Sequence, residues 1–184
     1  MQINNIKCHE DGNKLKITFD WPIGLQQVYI FTLPYTNNID DGKLYTLQEY
    51  KKLGGYVTEK KPGETNYYIY PYVHQDGECV IIDHHTNSVK HIEVTKISCQ
   101  IREKAGLGKY KNHYITLEAN YPVPDNIICY IKKKGDPSRD INDGTLYYWG
   151  DIIQPAQPVT RIVSTLKDEY ISVFVRNEEL YGVI

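Results

Sequence analysis

Alternating hydrophobic and polar residues along much of the chain predict β-strands. The two-residue period is clear at residues 15–21, 114–118 and 170–175. Because side chains of a strand point alternately to its two faces, this period indicates one buried face and one solvated face. Residues 28–33 and 127–131 are more continuously apolar. We therefore expect these two segments to be central strands, covered on both faces.

Turn signals separate the predicted strands at short intervals. Asp-Gly pairs stand at residues 11–12, 41–42, 76–77 and 143–144, and a Pro-Gly pair at residues 62–63. These dipeptides suit tight turns, since Gly and Asp tolerate the required backbone angles. Many short strands with frequent turns are typical of a β-sandwich or a β-barrel. The sequence therefore predicts an all-β fold.

One segment in the first half predicts a short helix. Thr46 and Glu49 have the spacing of a capping box, and Gly54 provides a stop after residues 50–53. The corresponding residues 148–151 of the second half lack the cap. We therefore expect one or two helical turns in the first half and none, or a distorted one, in the second.

The chain contains an internal repeat. The sequence DGKLY at residues 41–45 recurs as DGTLY at residues 143–147, and the same offset of 102 residues carries Tyr68-Ile69 onto Tyr170-Ile171. Cys8 also aligns loosely with Cys99 upstream of these motifs. Repetition at a fixed offset indicates two related structural modules.

The repeat divides the chain into a first β-sandwich module, residues 1–92, and a second, residues 93–184. The Asn, Ser and Thr residues of segment 87–96 predict a linker between them. Modules of this size bury only about two-thirds of their unfolded surface. We therefore expect each module to lean on the other or on a partner.

The first module resembles the fibronectin type III plan. A Trp-bearing strand at residues 15–21 closes on Pro22, a second strand follows at residues 28–33, and PGETNYYIY at residues 62–70 has the Pro-Gly-x-x-x-Tyr pattern that leads into strand F. This resemblance implies that Trp21 fills the space between the two sheets of the first module. In the second module Tyr121 replaces the Trp and the Pro-Gly pair is missing. The resemblance of the second module to this plan therefore depends mainly on the internal repeat.

The resemblance implies an all-β fold of two tandem immunoglobulin-like or fibronectin type III-like β-sandwiches, with one short helix in the first. Many immunoglobulin-like sandwiches have these motifs. A sandwich does not specify a function, because the same fold carries many different sites. The function has to be sought in individual residues.

Composition and charge disfavour several classes of function. Hydrophobic residues make up 41% and charged residues 24% of the 184 residues, as in globular proteins. A formal net charge of −2 gives no field that would gather nucleic acid or an anionic membrane. The basic cluster Lys132-Lys133-Lys134 with Arg139 is expected in a solvated loop between strands. With neither a signal-like N-terminus nor an apolar run of membrane-spanning length, we expect a cytoplasmic location and no membrane span.

Cysteine and histidine spacing does not predict a metal site. Cys8, Cys79, Cys99 and Cys129 contain no C-x-x-C pair, which favours buried reduced thiols over disulfides. Residues with metal-binding side chains gather between residues 74 and 91: His74, Cys79, Asp83, His84, His85 and His91. Along a strand His84 would point away from Asp83 and His85, so a tetrahedral site is awkward. We expect no metal and no cofactor.

Catalytic motifs are missing from the sequence, and we expect no enzymatic activity. It has no G-x-S-x-G elbow, and the two glycines of segment 104–109 lack the spacing of a phosphate-binding loop. That segment predicts a long hairpin loop in the second module, suited to recognition. Glycoside hydrolysis by paired carboxylates stays open, because several acids flank the repeated turn: Asp40, Asp41, Glu49, Asp143 and Asp151.

The aromatic composition points to recognition. The chain has 17 Tyr and only 3 Phe, and Tyr suits half-buried surfaces because it combines a rigid ring with a hydrogen-bonding tip. The candidate binding residues are Tyr70 and Tyr72 in the first module and Tyr147, Tyr148 and Trp149 in the second. The alternative is that these rings pack inside the sandwiches.

These observations favour a non-catalytic binding or scaffold protein that uses tyrosine-rich sandwich surfaces for protein–protein interaction. The alternative is a carbohydrate-binding accessory module or a small glycan-active protein. Stacked, coplanar rings beside polar groups in a groove would indicate a sugar site. A contiguous aromatic patch with a polar rim would indicate a protein partner. The oligomeric state is left open.

Overall fold

The computed structural model describes residues 1–35, 38–82 and 88–184. Over these ranges the chain forms fifteen strands, one α-helix and one short 3-10 helix at Ile39–Asp41. The predicted all-β fold with a single short α-helix is confirmed. The chain divides into two compact units, Met1–Glu93 and Val94–Ile184.

The first unit contains two antiparallel sheets. In one, the order is β1-β2-β5, and in the other β4-β3-β6-β7, with β8 paired along the first half of β6. The strands are β1 (Asn4–Asp11), β2 (Lys14–Asp20), β3 (Gln27–Phe31), β4 (Lys43–Thr46), β5 (Tyr56–Glu59), β6 (Gly63–Gln75), β7 (Glu78–Ile81) and β8 (Ser88–Glu93). Apolar residues of both sheets, such as Ile17 and Ile69, meet in one core.

The second unit repeats this plan. One sheet has the order β13-β10-β9-β15, in which β15 runs parallel to β9, and the other has the order β12-β11-β14. The strands are β9 (Thr95–Ala105), β10 (Tyr110–Ala119), β11 (Ile128–Lys134), β12 (Thr145–Tyr148), β13 (Val159–Leu166), β14 (Glu169–Val175) and β15 (Tyr181–Val183). Its own core gathers Leu117, Ile128 and Ile171 from both sheets.

The continuously apolar segments are central strands, as predicted. β3 lies between β4 and β6, and β11 lies between β12 and β14. β11 is buried on both faces over residues 128–131, with Ile131 0% exposed outside the core cluster. The outer face of β3 is buried at Phe31, which is 2% exposed, but remains partly exposed at Tyr29. The segment after each central strand returns over the outer face of its own sheet, at Gly42 beside Phe31 and Gly144 beside Ile131.

The predicted helix α1 (Leu47–Leu53) begins with the expected capping box. The Thr46 hydroxyl accepts a hydrogen bond from the Glu49 backbone N–H, and Glu49 in turn accepts one from the Thr46 N–H at 2.8 Å. Gly54 ends the helix in a left-handed conformation at φ 65°. Val94–Ile184 contains no helix at the corresponding position.

Three local expectations differ from the structure. Within the predicted linker, residues 88–93 form the paired strand β8, in which Val89 and His91 point inward, and Asn87 lies outside the described residues. Lys132 and Lys133 lie within the central strand β11, where Lys133 contacts Asp143 at 2.9 Å. Lys104 and Ala105 belong to β9, so only residues 106–109 form a short turn between two long paired strands rather than a long loop.

The four cysteines differ in their exposure to solvent. All four cysteines are free; Cys129 is buried, as expected, whereas Cys79 is exposed because it stands on the edge strand β7. Asp83, His84 and His85 lie outside the described residues. No helix within the described ranges is long and apolar enough to cross a membrane.

Candidate functional site

The outer face of the first unit's second sheet is rich in aromatic side chains. In β3 and β6 the inward residues, such as Ile30 and Ile69, belong to the core. The alternating positions therefore point outward. Strand register places Tyr29 opposite Tyr70 and Gln27 opposite Tyr72 on this outer face.

Five rings form one contiguous cluster, here named the aromatic face: Tyr29, Phe31, Tyr35, Tyr70 and Tyr72. Tyr29 is 5.0 Å from Tyr72 and 5.8 Å from Phe31, measured between ring centroids. Phe31 in turn lies 5.3 Å from Tyr35 and 5.7 Å from Tyr70. These separations are those of favourable aromatic pairs, so the rings hold each other in place.

The aromatic face has a buried layer and an accessible layer. Phe31 and Tyr70 are only 2% and 4% exposed. The loop after β3 covers them, and the Tyr35 backbone N–H donates to the Tyr70 hydroxyl at 3.3 Å. Tyr29, Tyr35 and Tyr72 remain partly exposed. The predicted site residue Tyr70 is thus a support, whereas Tyr72 can touch a ligand.

Concave surfaces and polar groups border the aromatic face. A cavity of about 310 Å³ lies where Phe31, Leu33 and Asn38 meet, and another of about 390 Å³ lies beside Tyr72 and Gln27. Both are open to solvent and lined by apolar and polar side chains. The face therefore combines apolar contact area with hydrogen-bonding groups at its edges.

His74 and Cys79 form a close pair at one end of the aromatic face. They are opposite each other in the β6–β7 ladder, and His74 Nδ1 lies 3.0 Å from Cys79 Sγ. A hydrogen bond with Cys79 is also the main reason that the pKa of the Tyr72 hydroxyl is raised. The sequence placed both residues in a possible metal cluster, and the structure brings these two together.

In the second unit the predicted residues Tyr147, Tyr148 and Trp149 do not share a surface. Tyr147 stacks on Tyr130, with 5.2 Å between centroids and 9° between planes. Tyr148 is 52% exposed on the opposite face of β12 and packs beside Arg176. Trp149 is 1% exposed and belongs to the core. Alternation along β12 places Tyr148 on the opposite face from Tyr147, and burial leaves Trp149 no accessible ring face.

The acids considered for glycoside hydrolysis have local structural partners. Asp41 accepts a hydrogen bond from Asn38, and Glu49 caps α1. Asp143 pairs with Lys133, and its pKa is lowered mainly by the hydrogen bond from that lysine. Asp151 pairs with Arg161. Four of these carboxylates therefore support turns, caps and ion pairs.

Glu10, His91 and Glu93 form a cluster that spacing along the sequence does not predict; of the three, only His91 is among the metal-binding side chains considered above. One potential ligand atom of each lies within 4.8 Å of the others. The three residues come from β1 and β8, which are far apart in sequence. The signal that could have found them is strand parity, because each continues the inward-facing positions of its strand at the end of the core.

Comparisons with known proteins identify no family. No protein-family model matches the chain, and no curated protein is significantly similar to it. Among solved structures, chitinase ChiA74 from Bacillus thuringiensis aligns at 12% identity with a TM-score of 0.30. The alignment covers 92% of this chain and 28% of that chain. A similarity this weak carries no argument about fold or function.

Proposed function

We propose that the chain is a non-catalytic binding protein that docks a protein partner on the aromatic face of its first unit. The observation that carries the proposal is the contiguous cluster of five rings on the outer side of a sheet whose inner side already packs a complete core. Folding of the core does not require aromatic residues on the outer side. Partly exposed Tyr side chains are typical anchors of protein interfaces.

Ring orientation favours a protein partner over a glycan. A sugar stacks on flat, coplanar rings, whereas the accessible rings Tyr29 and Tyr72 meet at 82°. Tyr29 is closer to parallel with Phe31, at 29°, but Phe31 is buried and offers no second flat face. The second unit has one coplanar pair of rings, Tyr130 and Tyr147. Lys132 Nζ lies over the Tyr147 ring, 4.9 Å from its centroid, in the position that a stacked sugar would need. The aromatic face instead offers a ridged apolar surface of the kind that interdigitates with protein side chains.

The surroundings of the aromatic face complete an interface. Leu44, opposite Tyr29 in the β3–β4 ladder, is 38% exposed, and Leu33 is 72% exposed. Gln27 and Asn38 supply polar groups at the edges. An apolar centre with a polar rim is the usual anatomy of a specific protein interface.

The fibronectin type III assignment also stays a proposal. It is supported by the strand orders β1-β2-β5 and β4-β3-β6-β7 in the first unit. Trp21 packs against the core, and its indole N–H donates to the Leu25 carbonyl at 2.8 Å. Modules of this plan use their exposed surfaces for recognition, which agrees with a binding role.

The test compares tagged wild-type protein with Tyr29→Ala/Tyr72→Ala in capture from a lysate of the native host. Tyr110→Ala is the matched control, since Tyr110 is a 46% exposed tyrosine of the second unit. We expect one protein to be retained by the wild type and the control, and the double variant to lose at least about 30-fold in affinity for it, the loss expected of a hot-spot tyrosine.

Folding and the glycan alternative need separate controls. Thermal unfolding of each variant establishes that it is folded, and Leu44→Lys disturbs the same surface without removing a ring. Retention of the partner by both surface variants would contradict the proposal. A glycan array on the same proteins addresses the alternative: a glycan bound by the wild type and lost in the double variant would replace the protein partner by a carbohydrate.

A further inference from the structure

We propose that Glu10, His91 and Glu93 form a zinc-binding site at one open end of the first unit, in which the Lys60 ammonium holds the cation position until the metal displaces it. The site is distinct from the aromatic face.

The alternation of side chains along β1 and β8 brings Glu10, His91 and Glu93 together. Ile6 and Cys8 pack against the core from β1, and Glu10 continues their face. Val89 packs against the same core from β8, and His91 and Glu93 continue its face. The polar residues therefore meet between the facing sheets, where the apolar core ends.

His91 is the observation that points to a ligand. Its side chain is only 7% exposed, and its Nε2 has no hydrogen-bond partner in the described part of the chain. This nitrogen lies 3.6 Å from a Glu93 carboxylate oxygen, too far for a hydrogen bond. A buried polar atom without a partner costs free energy, typically about 1–3 kcal/mol. A metal ion bound to Nε2 would satisfy it.

The two carboxylates already bind a cation. Lys60 Nζ lies 2.5 Å from a Glu10 oxygen and 3.5 Å from a Glu93 oxygen. Together the four groups carry one net negative charge when His91 is neutral. Replacing the ammonium by a divalent ion would bring the charge of the ligand set and its ion to zero. The flexible Lys side chain can extend into solvent when displaced.

The donor set fits zinc. One imidazole nitrogen and two carboxylate oxygens, with a fourth position open to water, are ligands that Zn²⁺ accepts at about 2.0–2.2 Å in tetrahedral geometry. Such bonds place ligand atoms roughly 3.3–3.6 Å apart. The present separations, all within 4.8 Å, require a modest contraction. Glu10, whose side chain is 58% exposed, has room to make it.

The second unit contains a contrasting arrangement. His113 is also buried, at 1% exposed, and its Nδ1 lies 3.4 Å from Glu103. Lys111 Nζ contacts the same carboxylate at 3.2 Å. Among the described residues, no second acid completes a group of three potential metal ligands with His113 and Glu103. Thr165 Oγ1 lies 2.9 Å from His113 Nε2. With fewer ligands available, we expect no zinc site around His113.

The experiment is calorimetric titration of the chelator-treated full chain with ZnCl₂ at pH 7. Five proteins are compared: wild type, His91→Gln, Glu93→Gln, Lys60→Met and the control Glu64→Gln. The control removes a carboxylate that pairs with Lys90 on the same unit, outside the cluster. Circular dichroism of each protein before titration verifies its fold.

We expect His91→Gln and Glu93→Gln to weaken zinc binding at least tenfold and Glu64→Gln to leave it unchanged. Lys60→Met removes the competing ammonium and is expected to tighten binding at least tenfold. Zinc affinity that is equal in wild type, His91→Gln and Lys60→Met would overturn the proposal, because the metal would then bind elsewhere. The complete lack of zinc binding by folded Lys60→Met would do the same.

A spectroscopic readout keeps the proposal testable if a ligand variant fails to fold. Co²⁺ in a tetrahedral site gives intense visible absorption bands. We expect these bands in Lys60→Met loaded with Co²⁺ and their loss on addition of one equivalent of Zn²⁺. Weak bands typical of octahedral hydrated Co²⁺ would contradict a tetrahedral site at this position.

Discussion

At the scale of single residues, the buried hydroxyl of Tyr67 contributes to the loss of stability at alkaline pH. Tyr67 is 1% exposed, and its hydroxyl has no hydrogen-bond partner among the described residues. Burial raises the pKa of Tyr67 to about 12, with smaller contributions from Tyr56 and Cys8. The unfolded chain therefore releases this proton from about pH 10, whereas the folded chain keeps it to about pH 12. Stability is lost over that window as pH rises.

We expect Tyr67→Phe to raise the free energy of unfolding at pH 7 by about 1 kcal/mol, because it removes an unsatisfied buried group. The substitution should also reduce the fall in the free energy of unfolding between pH 10 and 12, to which the Tyr67 proton contributes up to about 1.4 kcal/mol per pH unit. Urea unfolding at several pH values measures both effects. Tyr45→Phe is the matched control, since the Tyr45 hydroxyl donates to the Gly55 carbonyl at 3.0 Å and its loss should destabilise. A destabilised Tyr67→Phe would contradict the argument.

Residue patterns in the sequence predicted part of the aromatic face. The abundance of tyrosine identified Tyr70 and Tyr72. Alternation along the apolar strand β3 carried a signal for Tyr29 that the sequence analysis did not use. Tyr35 could not be predicted in the cluster, because its position depends on how the loop after β3 folds over Phe31. Pairwise ring contacts across a loop leave no periodic trace in a sequence.

At the scale of elements, the capping box fixes the start of α1. Thr46→Ala is expected to reduce the free energy of unfolding by about 1 kcal/mol, since it leaves a backbone N–H of the first turn without its acceptor. Thr46→Ser keeps the hydroxyl and should retain most of the stability. Tyr50 ties the helix to β2 through a 2.6 Å hydrogen bond to the Phe19 carbonyl. Denaturant unfolding of the two variants checks this prediction. Equal stability of Thr46→Ala and Thr46→Ser would contradict it.

Most elements could be predicted from local pattern, and the errors have a common cause. Period-two alternation located β2, β10 and β14, and continuous apolar runs located β3 and β11. The strand β8 was interpreted as linker because its residues are mainly polar. Its pairing with β6 is decided by partners 20 to 30 residues away in the sequence, from Tyr68 opposite Ser88 to Gly63 opposite Glu93. The polar residues of β8 show only that one of its faces is solvated. They do not show which strand it pairs with, because pairing depends on such distant contacts.

At the scale of the whole molecule, the sequence repeat corresponds to a repeated packing contact. Gly42 and Gly144 precede the edge strands β4 and β12, and each touches the central strand beside it. A Cβ at Gly42 would lie 2.4 Å from the Phe31 ring, and a Cβ at Gly144 would lie 2.6 Å from Ile131 Cγ2. The repeated Asp-Gly pair was interpreted as turn chemistry alone. Close approach to the strand explains the glycine in both copies.

This contact predicts that equivalent substitutions destabilise different halves of the chain. Gly42→Ala and Gly144→Ala are each expected to cost about 1–3 kcal/mol, because the added methyl group has to displace packed atoms. Alanine at position 144 would also strain the backbone, because φ is 143° there, a value that side chains other than glycine rarely adopt. Gly182→Ala is the control, since its nearest neighbour beyond the adjacent residues lies 3.8 Å away and its φ lies outside the range that favours glycine.

Hydrogen exchange read by mass spectrometry distinguishes the halves. The two units have separate cores, so Gly42→Ala should lower protection mainly within Met1–Glu93 and Gly144→Ala mainly within Val94–Ile184. Protection lost equally in both halves with either substitution would mean that the units unfold together. A confined loss would show that each copy of the repeat carries its own stability, so that variants of the aromatic face or the zinc cluster can be interpreted within the first unit alone.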